Sequence, residues 1–371
     1  VIRSVFRYRD LISYIPFRDW LRYPITAVLT CRGCTHSCII CGGSAVAFRH
    51  IHHRDKPVFR TPEQVFKDIK QIEGFSRGPL FVLGDLCQQG EDYAFEILKL
   101  LRQDPVKNQI IFELFGPTSA DLLKEMGRVA PNFCLEISPE SHDPEIRKIV
   151  GRNYSNEDLE QTLSGALDAG CGRLDVFFMT GLPKQTTKSV MDTVEYCGHL
   201  LEKFKGDKRL FFFIAPISPF LDPGSLAFEH PERYGYKVLF RTMEEYRQAL
   251  VSPNWKDSLN YETEWMTRDE IAESAYESIR ELIRLKARWG VISPEMADLG
   301  EKRIEAGWEM MHRLEKILAG DNREEELARI KPEVDRINAF PVSEKIQLEL
   351  PVGLMSFKIL GPLWAMITGK K

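Results

Sequence analysis

Between residues 25 and 254 the chain alternates short apolar runs with stretches whose apolar positions recur every three or four residues. The apolar runs fall at about 25–31, 79–83, 109–115, 133–137, 173–179 and 210–215, and read as strands. The periodic stretches between and after them predict helices over about 62–75, 92–102, 120–129, 144–150, 156–169, 188–204 and 243–251. Boundary chemistry agrees with the pattern. Thr61-Pro62-Glu63-Gln64 has a capping threonine, proline at the first helical position and a glutamine three residues on, which opens a helix. Gly170 sits where a helix C-cap is expected. Strand then helix, six times over, predicts an α/β fold with a parallel sheet built from βαβ units.

Past residue 254 the rhythm changes. Thr267-x-x-Glu270 caps a long helix running to about residue 289, and a second amphipathic helix covers 296–318. The highly charged segment 321–336 reads as a helix or a solvated linker. Residues 1–24 are rich in arginine and aromatics and read as a lead-in segment packed on the main domain. The division expected is therefore a lead-in (1–24), a core (25–254) and a C-terminal helical appendage (255–371). The apolar stretch 354–368, broken by Lys358 and Pro362, is expected to dock on the protein's own body or on a partner rather than on a membrane surface.

At 371 residues the chain can hold one large domain and a smaller one. Its 43% hydrophobic and 28% charged residues are those of an ordinary globular protein. A net charge of −4 gives no electrostatic case for a nucleic-acid partner. No run of 18 apolar residues occurs, so no transmembrane segment is expected. Eight cysteines in a long chain without a secretory segment argue for a reducing, cytoplasmic setting and for metal rather than disulfides. Four of them, Cys87, Cys134, Cys171 and Cys197, are isolated and read as small core residues.

The other four fall within eleven residues, Cys31-Arg-Gly-Cys34-Thr-His-Ser-Cys38-Ile-Ile-Cys41, directly after the first apolar run. A cysteine-dense loop at a strand end is the layout of a metal site. Zinc on Cys31, Cys34, Cys38 and Cys41, in a non-catalytic binding module, is one reading, although structural zinc normally draws two Cys-x2-Cys pairs across a longer loop. A ferredoxin-type cluster prefers Cys-x2-Cys-x2-Cys-x3-Cys-Pro. The spacing Cys34-x3-Cys38-x2-Cys41 resembles instead the signature of the radical S-adenosylmethionine (SAM) superfamily, with Ile40 where that family usually has an aromatic.

The resemblance implies a partial (β/α)6 TIM-type barrel. It also implies a 4Fe–4S cluster held by Cys34, Cys38 and Cys41, with one iron left open for SAM, and reductive cleavage of SAM to a 5′-deoxyadenosyl radical. Cys31 is then structural. Gly84-Asp85 ends the second strand, where the family carries a Gly-Gly-Glu-like element that binds the SAM amine. Ser138-Pro139-Glu140-Ser141 resembles the element that meets the SAM ribose, with N-capping by Ser141 or Asp143 as its ordinary alternative. Arg152 is expected near the SAM carboxylate or the substrate. Gly181-Leu182-Pro183 resembles the family's Gly-Leu-Pro-Gly-Glu-Thr segment on the adenine side, with Lys184-Gln185 replacing Gly-Glu, and Ala215-Pro216-Ile217 would flank adenine. Glu136 is a secondary candidate if it points into the barrel. His36 reads as loop filler, and the histidines at 50, 52 and 53 as solvated loop.

Segment 138–186 is most like the radical SAM proteins associated with a cobalamin-binding domain. That domain lies upstream of the cysteine loop, and no Asp-x-His-x-x-Gly motif for cobalt occurs here. The expectation is that the chain, which opens on Val1, is an N-terminally truncated fragment whose cobalamin domain is not present. The resemblance further implies a reductant such as flavodoxin or ferredoxin, and a small-molecule or protein substrate that the sequence does not identify.

Overall fold

The structure is a computed structural model and describes residues 26–217 and 221–338. The expected lead-in 1–24 and the apolar stretch 354–368 lie outside the described residues. Strand β1 (Thr26–Leu29) leads into a two-residue ribbon, β2 (Cys31–Arg32), paired antiparallel with β3 (Val58–Phe59). Between them lie the cysteine loop and helix α1 (Ala45–His52); helix α2 (Pro62–Phe75) then leads to β4 (Leu80–Leu83). The repeat continues with α3 (Glu91–Gln103), β5 (Ile110–Leu114), α4 (Ala120–Val129), β6 (Cys134–Glu140), α5 (Pro144–Val150) and α6 (Asn156–Asp168). It ends with β7 (Arg173–Thr180), α7 (Thr187–Lys203) and β8 (Leu210–Pro216). The sheet order is β1-β4-β5-β6-β7-β8, parallel throughout, so each strand lies beside the next of its kind in sequence, as in an open partial barrel.

Register sorts the side chains. Phe112, Leu135, Leu174 and Leu210 stand side by side across β5 to β8, as do Leu114, Ile137, Val176 and Phe212. All eight are fully buried in one core with Leu98, Leu122, Leu163 and Leu200 of the helices. Removing each from water stabilises the fold by about 2 kcal/mol. Side chains alternate along a strand, so the opposite face carries the interleaved row Glu113, Glu136, Asp175 and Phe211. This inner wall is polar because it faces the barrel interior rather than the helices.

Three expectations are corrected. The histidine-rich stretch is helical: Ser44 Oγ accepts from Ala47 N and α1 carries His50 and His52, with His53 as its left-handed C-cap. The fourth strand runs to Glu140, past a register shift between Ile137 and Glu140 that accommodates Pro139. Most consequential, the helix expected to complete the sixth unit, now α9 (Met243–Val251) after the single-turn α8 (Leu226–Glu229), does not cover the sheet. It packs on the 3-10 turn Trp255–Ser258. Among its residues only Tyr246 is buried, while Met243, Leu250 and Val251 are exposed. The covering position is taken by α10 (Arg268–Arg288), which lies along α7 and β8 and sends Ile271, Leu282 and Leu285 into the main core. Helix α10 has the apolar stripe that α9 lacks.

A second ribbon, β9 (Tyr236–Val238) with β10 (Tyr261–Thr263), precedes α10. Helices α11 (Pro294–Leu318) and α12 (Arg323–Asn338) follow, so the charged segment 321–336 is helical. Among the described residues no helix is long and apolar enough to cross a membrane.

Candidate metal centre and cofactor site

The cysteine loop is shaped by elements remote in sequence. Thr30 ties the end of β1 to β4, its amide donating to Leu83 O at 3.2 Å and its hydroxyl to Gly84 O at 2.8 Å. Ile39 N donates to Val150 O at 3.2 Å, and Ala227 N donates to Ile39 O at 2.9 Å. Gly42 N donates to an Asp222 carboxylate oxygen at 2.9 Å. Gly151, at φ +101°, lies so close that a Cβ there would sit 3.2 Å from Cys38 Cα.

Within this clamp Cys34 Sγ accepts from His36 N at 3.4 Å and Cys41 Sγ from Gly43 N at 3.3 Å. Such N–H···S contacts favour sulfur in its anionic form. Burial pushes the thiols of Cys34, Cys38 and Cys41 up. The Arg152 guanidinium is the largest opposing influence on Cys38, and the amides of His36 and Gly43 are on Cys34 and Cys41. Cys31 stands apart in the β2–β3 ribbon: its thiol donates to Gly33 O at 3.2 Å, and Gln88 Nε2 lies 3.9 Å from it. Soft thiolate donors suit iron–sulfur or zinc chemistry. Among the described residues no three His, Cys, Asp or Glu side chains are gathered closely enough to hold a single metal ion.

Beside the loop sits a buried polar group centred on Arg152 and Glu140. Arg152 donates to Phe115 O at 2.9 Å and to Glu140 Oε1 at 3.3 Å, and its guanidinium lies 4.7 Å from the centroid of the Phe115 ring. Three buried atoms here have no partner: Glu140 Oε2, Arg152 Nε and Tyr154 Oη. Burial raises the Glu140 carboxyl above its ordinary range, with Arg152 opposing. Glu140 adopts φ +68°, an unfavourable backbone for a glutamate. Orphaned buried polar atoms and a strained backbone together fit a polar ligand such as SAM, whose ribose and amino-acid ends carry matching donors and acceptors.

The other sequence candidates divide. Asp85 has both oxygens engaged by backbone, accepting from Cys87 N at 2.6 Å and Phe115 N at 2.7 Å, so it staples the ends of β4 and β5. Gly84, at φ +82°, donates its amide to Glu113 at 2.8 Å, and a Cβ would sit 3.0 Å from Thr30 Oγ1. Of the two capping alternatives the structure has Asp143, which accepts from Glu145 N at 2.8 Å; Ser141 is buried just before it, its hydroxyl accepting from Asp143 N at 3.1 Å and its carbonyl from Arg147 Nε at 3.1 Å. Ser138 is half-buried on β6. Gly181, at φ +83°, lies against Tyr261: a Cβ would fall 2.8 Å from Cε2 of that ring. Lys184, in the glycine position of the resembling motif, is left-handed at φ +63°. Buried Gln185 bridges Leu182 N and Met179 O at 3.1 and 3.0 Å, closing the turn.

Glu113, Asp222 and Tyr154 are the site residues that motif reading gave no role. Glu113 is a lone carboxylate inside an apolar strand and Asp222 lies in an unpatterned loop. Only a carboxylate forced into a strand interior, which must find a partner when buried, could have flagged the first. His36 sits edge-on to Phe115 with ring centroids 5.6 Å apart, and burial lowers its pKa.

The three thiols thus lie in a loop at the C-terminal edge of a parallel partial barrel, beside a buried Arg–Glu pair. Residues 28–197 match the profile of the radical SAM superfamily. No curated protein matches the sequence. Among solved structures, two of the radical SAM methyltransferase TsrM from Kitasatospora setae are similar. One, with cobalamin and a [4Fe–4S] cluster bound, has 13% identity and a TM-score of 0.50 over 81% of this chain and 63% of that one. The other, with tryptophan and a SAM analogue bound, has 14% identity and a TM-score of 0.40 over 49% and 35%. The chain thus spans less than two thirds of either. Coproporphyrinogen III oxidase HemN from Escherichia coli gives 14% identity and a TM-score of 0.38 over 78% of this chain and 83% of that one.

Proposed function

We propose that this chain is a radical SAM enzyme using Cys34, Cys38 and Cys41 as cluster ligands. These residues would hold a 4Fe–4S cluster, and the chemistry it would supply when bound is the one-electron reduction of SAM that yields a 5′-deoxyadenosyl radical for hydrogen abstraction from the substrate. The observation that carries this reading is the position of the three thiols. They sit in a loop at the C-terminal edge of the parallel sheet, inside the matched domain, where barrel chemistry resides.

The chain's own residues then divide the work. The amides of His36 and Gly43 and the Arg152 cation stabilise sulfur anions. Glu140, held at one oxygen by Arg152, offers the other to ribose hydroxyls. Arg152 Nε and Tyr154 Oη, both buried and without a partner, would supply donors for a carboxylate. Asp85 and Glu113 hold the ends of β4 and β5 in place rather than binding SAM through Asp85 itself. Gly181 acts through backbone packing, and Ser141 by fixing the turn that precedes the Asp143 cap.

We further propose cobalamin-dependent methyl transfer in the cytoplasm, with a flavodoxin or ferredoxin as reductant. The likeness of segment 138–186 to cobalamin-associated radical SAM proteins supports it. Anaerobic reconstitution with iron and sulfide should load about four irons per chain, and dithionite with SAM should then release 5′-deoxyadenosine. Cys34→Ala should abolish both, whereas Cys31→Ala should keep the iron; iron lost equally from Cys31→Ala would overturn the three-ligand assignment.

A further inference from the structure

Away from the cysteine loop, helices α10, α11 and α12 and the loop at 253–255 enclose a cavity of ≈ 470 Å³. Its wall is mostly apolar and includes Pro216, the last residue of β8, and the adjacent Met310 and Met311. That volume is within the range of small-molecule sites, and methionines adapt to irregular apolar ligands.

One polar group in the wall is out of keeping with an empty apolar void. Asn254 is 2% exposed and lines the cavity. Its Oδ1 accepts from Lys256 N at 3.1 Å, capping the turn that follows, but its Nδ2 has no partner. Leaving a buried amide unpaired is costly, and a ligand oxygen would remove that cost. The unpaired group is a donor, so the head group it takes must carry an acceptor, which an ammonium does not; of the two basic residues in the wall, Lys302 and Arg303, Lys302 is paired with Asp298 at 2.6 Å.

We infer that this cavity is a second binding site, taking an anionic amphiphile of the medium-chain fatty-acid class, its chain along Met310 and Met311 and its carboxylate accepting from Asn254 Nδ2. Trp255 lines the same wall and reports occupancy through its fluorescence. The test titrates the full chain with decanoate and, separately, with decylammonium, followed by tryptophan fluorescence and calorimetry. Neither SAM nor cluster is needed, so the result is independent of the radical reading. Decanoate should saturate one site per chain and decylammonium should bind at least tenfold more weakly. Asn254→Asp keeps the capping oxygen, removes the donor and adds a like charge; it should weaken decanoate at least tenfold. Ala306→Trp, which fills the cavity, should abolish binding. Absence of saturable decanoate binding to the wild type, equal binding of decylammonium, or full affinity in Asn254→Asp would overturn the inference.

Discussion

At the scale of single residues, the Glu140–Arg152 pair and the acidic row on the inner wall make different demands. Glu140→Gln keeps the size of the side chain but removes the charge that orients Arg152. It is expected to raise the KM for SAM about tenfold, roughly 1.4 kcal/mol of lost binding, while iron content stays at the wild-type level. A variant that lost iron in proportion to activity would place Glu140 in loop folding instead. Glu136 stands between Glu113 and Asp175 in register, and burial, then the Asp175 and Glu113 charges, push its carboxyl up to about 7. A raised carboxyl favours the protonated folded state, so this contribution is complete below about pH 4.5 and lost as pH rises through about 7. Glu136→Gln should therefore stabilise the metal-free chain by about 2 kcal/mol at pH 8 and hardly at all at pH 4.5. Denaturant unfolding at the two pH values measures this; a gain independent of pH would exclude the ionisation as its source.

Among elements, the turn after β7 shows what a motif conveys and what it conceals. The Gly-Leu-Pro segment announced a special backbone, and Gly181 has one, but the reason for the glycine is the buried ring of Tyr261, eighty residues later. Gly181→Ala is expected to cost at least about 2 kcal/mol, from a left-handed backbone and overpacking together, seen as a lowered Tm; an unchanged Tm would mean that Tyr261 moves aside freely. The strand–helix rhythm and the cysteine trio were legible because periodicity and spacing are local. The carboxylate row was not, since it exists only once β5, β6 and β7 are in register. The role of Glu113 was hidden for the same reason: its partner, Gly84, lies on the neighbouring strand. The exchange of α9 for α10 was legible in principle, from the missing apolar stripe of α9, yet sequence order made α9 the natural candidate.

For the whole molecule, the packing of α10 on β8 and α7 joins the later helices to the sheet. Lys256 reinforces the join by pairing with Asp269 of α10 and with Glu315 of α11. A chain ended at residue 254 should uncover the surfaces of α7 and β8 on which α10 packs and come out insoluble, while one ended at 338 should stay in solution. Comparing the soluble fractions of the two on expression checks this. A soluble, folded chain of 1–254 would show that the sheet needs no cover from α10.

The clamp on the cysteine loop also imposes a chronology. Its anchors, Val150, Asp222 and Ala227, leave the ribosome long after Cys41 does, so the nascent loop has no defined shape for the time it takes to translate nearly two hundred further codons. On the proposed function, iron delivery would then be a late event, coming after synthesis has passed Ala227 rather than guiding the first stages of folding.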